Sequence, residues 1–546
     1  MAEIDGGRVA AKQLKAAGID TIFGVVAGPT VQIMAGAAAE GLRVIGCRHE
    51  ENGAFMAMAW GFVKKKPGVL VTGSGPGTTN ALTPLYAATE SGMPLVVLGG
   101  SVHSNARGIG GFQEADQVGL MKPGAKWATM VDSIERIPQL THLALGKSIT
   151  GRPGGVYLDF PGEIPSHTID ESKVHLRGLP RITRPVADSA AIDEAADLLA
   201  NAARPLVVFG KGATWADAGP AIAKIVDRGI PYVSSPMARG TIPDDHPSFM
   251  NSARSAALRG ADVVVTFGAR YNWIFQFGRK GEPGQKIIQI DIVPEEFYSA
   301  ANVELGIVAD VRVAAEQLDA ALASRNILSV DDGAWMQELS SSRDRNEQSL
   351  AGPATSDAVP IDPHRVIGDL RDVLPRGSSI SEDGETSMGI ARQLLPSYAS
   401  GSRFNASTTA CIGTGVPFAI GAKLARPDYP SVAVCGDYAF GAASIAVETA
   451  ARVGANVVFL VINNEGIVGH TLQDNMFPEG SDKIATLLPA HYEKMIEMVD
   501  GHAERVEHPD EIKPALTRAL AANKVALVHV LVDPKATRLS GGAYLG

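Results

Sequence analysis

Short runs of consecutive apolar, largely β-branched residues recur along the whole chain: TIFGVV (21–26), GVLVTG (68–73), PLVVLGG (94–100), GVYLDF (155–160), PLVVFG (205–210), DVVVTFGA (262–269), KIIQIDI (286–292), SVAVCGD (431–437), NVVFLVINN (456–464) and ALVHVLV (526–532). They do not alternate polar with apolar, so each predicts a strand buried on both faces. Such strands belong to parallel sheets, whose crossovers are helices. Between them, DEAADLLANA (193–202) and HRVIGDLRDVL (364–374) carry apolar residues at helical spacing. The chain is thereby confined to stacked βαβ units. At 546 residues it exceeds one core, and domains of roughly 100–200 residues imply about three. Polar stretches over 161–185 and 340–363 read as linkers. The expectation is an α/β protein of three doubly wound parallel-sheet domains, 1–165, 185–335 and 360–546.

Composition excludes several functions. The net charge is −10, from 49 basic and 59 acidic residues, and no basic stripe carries interleaved aromatics, which argues against nucleic acid as a partner. No apolar run approaches the roughly 18 residues that span a bilayer. The start, MAEIDGGRVAAKQLKAAG, predicts an amphipathic helix and not a signal peptide, and Cys47, Cys411 and Cys435 are too dispersed for a disulfide framework or structural zinc. A soluble, multi-domain, cytoplasmic protein with reduced thiols is expected.

The polar residues that break this frame lie where its strands end. Gly436-Asp437 closes one run and Asn463-Asn464-Glu465-Gly466 closes the next, with 27 positions from Asp437 to Asn464 and a helix predicted over about 441–453. In a parallel sheet both fall at the carboxyl ends of neighbouring strands, where open α/β sheets bind ligands. A carboxylate, an amide oxygen and a free carbonyl are hard donors that supply part of a magnesium shell and leave room for phosphate oxygens. The next helix N-terminus faces the same anion. The residues alone equally allow Asp437 as a helix cap and Asn463-Asn464 as a turn. Far upstream, Arg48-His49-Glu50 follows LRVIGC and opens the helical NGAFMAMAW. An acid on the helix dipole explains Glu50 as readily as a general acid–base does. Gly73-Ser74-Gly75-Pro76-Gly77 is a turn without dinucleotide spacing, and Gly146-Lys147-Ser148 lacks the first glycine of a phosphate loop.

Together these motifs resemble the thiamine-diphosphate enzymes, in the family's order of pyrimidine, central and diphosphate domains and over nearly the whole chain. The resemblance implies Mg2+ held by Asp437, Asn464 and the Gly466 carbonyl. It implies cofactor contacts from Gly436, Tyr438, Ala439, Ile467 and Val468, with Tyr438 standing where the family more often has glycine or serine. It makes Glu50 the carboxylate against the aminopyrimidine and Ile412, before the helix VPFAIGAKLA, the apolar wedge under the bent cofactor. The Ala410 carbonyl would face the pyrimidine amine, at a position more usually glycine, and Glu385 and Thr386 would lie near the diphosphate. Since the family builds each site between two chains, a homodimer is implied at least, and a homotetramer commonly.

Within the family the chain looks most like the oxalyl-CoA decarboxylase and 2-hydroxyacyl-CoA lyase branch. SARSAALRGADVVVTFGARYNW (252–273) is similar to that branch's central domain, HYEKM (491–495) to its Tyr-acid-x-Met, and the tail DPKATRLSGGAYLG to the lyase ending. The resemblance implies ADP against Lys211, Arg270, Asp291, Ile292 and Asp310, and CoA phosphates against Arg403 and Arg538. Gly111-Phe112-Gln113-Glu114 matches the lyases, whereas the decarboxylases carry Tyr-Glu there. Gln113 can hydrogen-bond a substrate hydroxyl and Phe112 adds apolar wall. Glu493, after a lid-length loop (470–490), is the expected acid–base group, with an ordinary surface glutamate as the alternative. The implied reaction cleaves a 2-hydroxyacyl-CoA, such as 2-hydroxyisobutyryl-CoA, into formyl-CoA and a ketone or aldehyde, reversibly. Oxalyl-CoA decarboxylase, an acetolactate-synthase-like carboligase and a non-catalytic nucleotide-binding relative stand as alternatives. The terminal Tyr544-Leu545-Gly546 is not a peroxisomal signal.

Overall fold

The computed structural model describes residues 3–299, 302–327, 329–330 and 333–536. Three parallel sheets carry the chain. The first has the spatial order Arg43–Gly46, Thr21–Gly24, Gly68–Thr72, Leu95–Ser101, Gly155–Pro161, Trp127–Met130. The second runs Tyr232–Ser234, Pro205–Phe209, Val263–Phe267, Lys286–Asp291, Val303–Val308. The third runs Arg403–Asn405, Ser379–Asp383, Ser431–Gly436, Val457–Asn463, Ala526–Leu531, His502–Val506. Every apolar run singled out in the sequence forms a strand, and Val263–Phe267 and Val457–Asn463 are buried at every residue. Helices cover both faces, as continuous apolar strands require. A two-stranded antiparallel ribbon pairs Glu3–Asp5 with Thr168–Asp170. Among the described residues no helix is long and apolar enough to cross a membrane.

The first and third units share one core. Its axis is the helix Glu50–Lys64, buried from Asn52 to Phe62, against the helix Gly415–Ala425. Gly421 makes that approach possible, since a Cβ there would lie 2.3 Å from the Met56 carbonyl oxygen. Phe55 meets Phe418 edge-on at 5.4 Å. Fully buried aromatics of this size each contribute about 1.5–3 kcal/mol to the core the two units share.

The stretch 340–363, expected to be a linker, is largely helix: Ala334–Ala354 runs for 21 residues. Its apolar anchors, Trp335, Leu339, Leu350 and Ala354, sit near its two ends, so its middle shows no amphipathic period. The Trp335 indole N–H donates to the Pro205 carbonyl at 3.0 Å, and Asn346 donates to the Ser252 carbonyl at 2.6 Å. A polar surface and good helix formers suffice for a connector fixed at both ends. The helix expected over 441–453 is two, Asp437–Ala443 and Ala446–Arg452, and the first begins at Asp437 itself.

Candidate active site

The carboxyl ends of Ser379–Asp383, Ser431–Gly436 and Val457–Asn463 open into one cavity. Glu385, Thr386, Ala410, Ile412, Gly436, Asp437, Tyr438, Ala439, Asn464, Gly466, Ile467 and Val468 all line it. Asp437 is buried, its Oδ2 has no hydrogen-bond partner among the described residues, and burial pushes its carboxyl up to about 6. One terminal atom of the Asn464 amide lies 3.2 Å from Asp437 Oδ1 and 2.9 Å from the Gly466 carbonyl oxygen; the other faces the Gly469 N–H at 3.1 Å. With its oxygen toward the first pair, three oxygens converge, an arrangement that a cation stabilises. Turned over, the amide donates to both and accepts from Gly469. One buried carboxylate and two neutral oxygens fit a hard divalent cation, which would relieve the desolvated charge.

The loop behind these ligands is strained and clamped. Glu465 and Val468 take left-handed φ values of 59° and 56°, uncommon for any side chain and an outlier for a β-branched one. A Cβ on Gly469 would lie 2.0 Å from the Pro534 carbonyl oxygen. Ala410 is left-handed too, at φ 51°, which explains physically why glycine is the ordinary residue there. Asp383, not singled out in the sequence, lines the same cavity and accepts the Gly384 and Gly415 N–H groups at 2.9 and 2.8 Å, while burial pushes its carboxyl up to about 6. Its place at a strand end before glycine was the available signal.

Glu50 does not line this cavity. It opens the helix Glu50–Lys64, where Oε2 accepts from Asn80 Nδ2 at 3.0 Å and Oε1 lies close over Gly77, 3.1 Å from where a Cβ would stand. The same glycine turn holds Gln113, whose Oε1 accepts from Ser74 Oγ at 2.8 Å. The loop before it is ordered by Glu114, whose carboxylate accepts the N–H groups of Gly108, Gly110 and Gly111 and is thereby held below its usual range. Phe112 is 86% exposed. The structure thus brings Glu50 and Gln113 together on one unit and the metal-type ligands together on another.

Arg403 requires correction. Both it and Glu382 are fully buried, paired at 2.5 Å, and Arg403 also donates to the Leu395 and Ala391 carbonyls at 2.8 and 2.9 Å. A guanidinium locked in this way is not available to a CoA phosphate. Arg538 lies outside the described residues. Glu493 is buried instead of lying on the surface. Its carboxylate is bonded to His529 Nδ1 at 2.7 Å and His491 Nδ1 at 2.8 Å. Burial works against its charge, but these partners and its own backbone outweigh burial and hold the carboxyl below its usual range. It lines neither the cavity above nor the one described next.

A second cavity, of about 430 Å³, lies at the central sheet's carboxyl edge and is lined by Lys211, Arg270, Asp291, Ile292 and Asp310 together with Arg152 and Arg184. Burial, with Arg270 and Arg152 close by, pushes the Lys211 ammonium well down, and Lys211 donates to Ser407 Oγ at 2.7 Å. Arg270 donates to Thr408 Oγ1 at 3.3 Å. Burial raises the Asp291 carboxyl to about 6. Asp310 caps the helix Val311–Ser324 and pairs with Arg184 at 2.9 Å. The segment 405–412 is a wall of both cavities: Asn405, Ser407 and Thr408 face this one, and Ala406, Ala410 and Ile412 the first.

Comparison with known proteins agrees with this geometry. Residues 4–120 match the thiamine pyrophosphate enzyme N-terminal TPP binding domain, 192–318 the central domain and 383–530 the C-terminal TPP binding domain. A 2-hydroxyacyl-CoA lyase of Oryza sativa subsp. japonica is 35% identical over 99% of this chain and 97% of the relative. The 2-hydroxyacyl-CoA lyase 1 of Homo sapiens is 32% identical over 98% and 96%. The oxalyl-CoA decarboxylase of Escherichia coli (strain K12) is also 32% identical, over 98% and 96%. Three domain matches in order, on a chain whose sheets end in these ligands, make it a member of the thiamine pyrophosphate enzyme family.

Proposed function

We propose that this enzyme is a carbon–carbon lyase that cleaves a 2-hydroxyacyl-CoA, such as 2-hydroxyisobutyryl-CoA, into formyl-CoA and a ketone or aldehyde. The observation that carries the reading is Gln113 on the glycine turn that backs Glu50. A neutral amide there suits a hydroxyl-bearing carbon, whereas a second carboxylate would call for a cation. Relatives named 2-hydroxyacyl-CoA lyase support the same choice; the relative named oxalyl-CoA decarboxylase marks the alternative.

Thiamine diphosphate, when bound, supplies the electron sink for the bond that breaks. Asp437, Asn464 and the Gly466 carbonyl would hold Mg2+, whose charge would offset that of the diphosphate. Glu50, oriented by Asn80, holds and returns a proton at the aminopyrimidine. Ile412, an apolar part of the cavity wall, would pack against the cofactor, and Gln113 would orient the 2-hydroxyl. Because Glu50 does not line its own chain's cavity, we place the complete site between two copies, a homodimer at least. The four basic side chains and Asp291 of the central cavity suit a nucleoside diphosphate such as ADP. Calorimetric titration tests this: binding of ADP by the wild type and its loss in Arg270→Met support it, and equal heats in both exclude it.

The reaction is tested by supplying the protein, thiamine diphosphate and magnesium with 2-hydroxyisobutyryl-CoA, lactyl-CoA and oxalyl-CoA in parallel. Formyl-CoA with acetone or acetaldehyde is expected from the first two. Formyl-CoA arising only from oxalyl-CoA, with carbon dioxide, would replace the lyase by the decarboxylase.

A further inference from the structure

The strands Val457–Asn463 and Ala526–Leu531 are neighbours in the third sheet, and a series of polar contacts joins their ends. Asn463 stands directly before Asn464. Its Oδ1 accepts the Glu465 N–H at 2.9 Å, closing the turn that presents Asn464 and Gly466. That bond fixes which way the amide faces, so Nδ2 is the atom 2.9 Å from His529 Nε2. An amide N–H at that place makes Nε2 an acceptor. The ring is therefore neutral, with its proton on Nδ1, 2.7 Å from Glu493 Oε2.

His529 is fully buried within an otherwise apolar strand. Burying an imidazole costs free energy unless both nitrogens are engaged, and here both are. Tyr492 packs edge-on against the ring at 5.5 Å and against Phe440 at 5.8 Å, and Phe440 belongs to the helix that Asp437 opens. The two segments that carry Asp437 and Asn464 thus converge on the same histidine, one through a ring stack and the other through an amide.

We propose that His529 is a positioning residue: through Asn463 it holds the Asn464–Gly466 turn in the form that receives a cation, and through Glu493 it ties that turn to the segment 491–493. The inference rests on Asp437, Asn464 and Gly466 being the magnesium ligands. A partner that orients a metal ligand from behind is worth about 10–100-fold in metal affinity.

Protein stripped of metal by dialysis against a chelator is titrated with Mg2+ in excess thiamine diphosphate and followed by intrinsic fluorescence. Thermal melts of the metal-free proteins report folding. His529→Leu keeps the bulk but removes the acceptor, and its Kd for Mg2+ rises about tenfold or more. His529→Gln, whose carbonyl can take the Asn463 N–H, recovers most of the loss. Equal weakening in both variants would assign the histidine to packing alone and overturn the inference, as would an unchanged Kd in a folded leucine variant. If the leucine variant does not fold, Asn463→Ala breaks the same link from the other side, and an unchanged Kd there overturns it equally. A wild type that binds thiamine diphosphate without needing Mg2+ overturns the ligand reading itself, which separates the two failures.

Discussion

Asp437→Asn abolishes magnesium-dependent binding of thiamine diphosphate and lowers turnover about 10³-fold, the several kcal/mol that a metal-borne charge is worth. The side chain supplies the only formal negative charge among the three converging oxygens, and its Oδ2 has no partner among the described residues to lose. The same substitution leaves the metal-free fold intact. Burial raises the Asp437 carboxyl to about 6, above its value in an unfolded chain. Its contribution to stability is therefore present in full below about pH 4 and lost as pH rises through about 6. At pH 8 the metal-free asparagine variant melts no lower than the metal-free wild type, because it has shed a penalised charge. Calorimetric titration of cofactor and a pair of melting curves check both halves. Retained magnesium-dependent binding would remove Asp437 from the ligand set, and a lower melting temperature would turn the lost activity into a folding defect.

Glu50→Gln has the opposite signature: turnover falls by about 10²–10⁴-fold while cofactor affinity stays near the wild-type value. Glutamine keeps the shape and an oxygen for Asn80 Nδ2, so the helix start and the approach to Gly77 survive. What disappears is a group that can hold and release a proton. Steady-state rates beside cofactor titrations measure the two quantities separately. A turnover within tenfold of wild type would return Glu50 to the plain role of an acid on a helix dipole.

Sheet interiors were legible in the sequence because a strand covered on both faces must be apolar throughout. Edge strands mostly were not, LRVIGC being the exception: its Arg43–Gly46 forms one edge of the first sheet. Trp127–Met130, Tyr232–Ser234, Val303–Val308, Arg403–Asn405 and His502–Val506 all lie at sheet edges. They are short or carry charge, as an edge with one unpaired side allows. The cofactor cavity was legible from strand ends followed by polar residues. Arg403 was misread because its partner, Glu382, lies on the neighbouring strand. Nothing local marks an arginine as neutralised. Gln113 could be chosen by its chemistry but not located, since its contact with Ser74 closes a loop of 39 residues. The histidine inside ALVHVLV was visible as the lone polar group of a core strand, yet its two partners belong to different segments.

The wall of residues 405–412 limits how far the three domains can be treated as interchangeable modules. A grafted central domain would inherit Lys211 and Arg270 but not Ser407 and Thr408, which the third domain contributes to their cavity. Nor can those two residues be redesigned freely, because the backbone that carries them also places Ala410 and Ile412 against the other cavity. Any attempt to re-engineer one ligand preference in this scaffold is therefore a two-ligand problem, and libraries at these positions need selection on both.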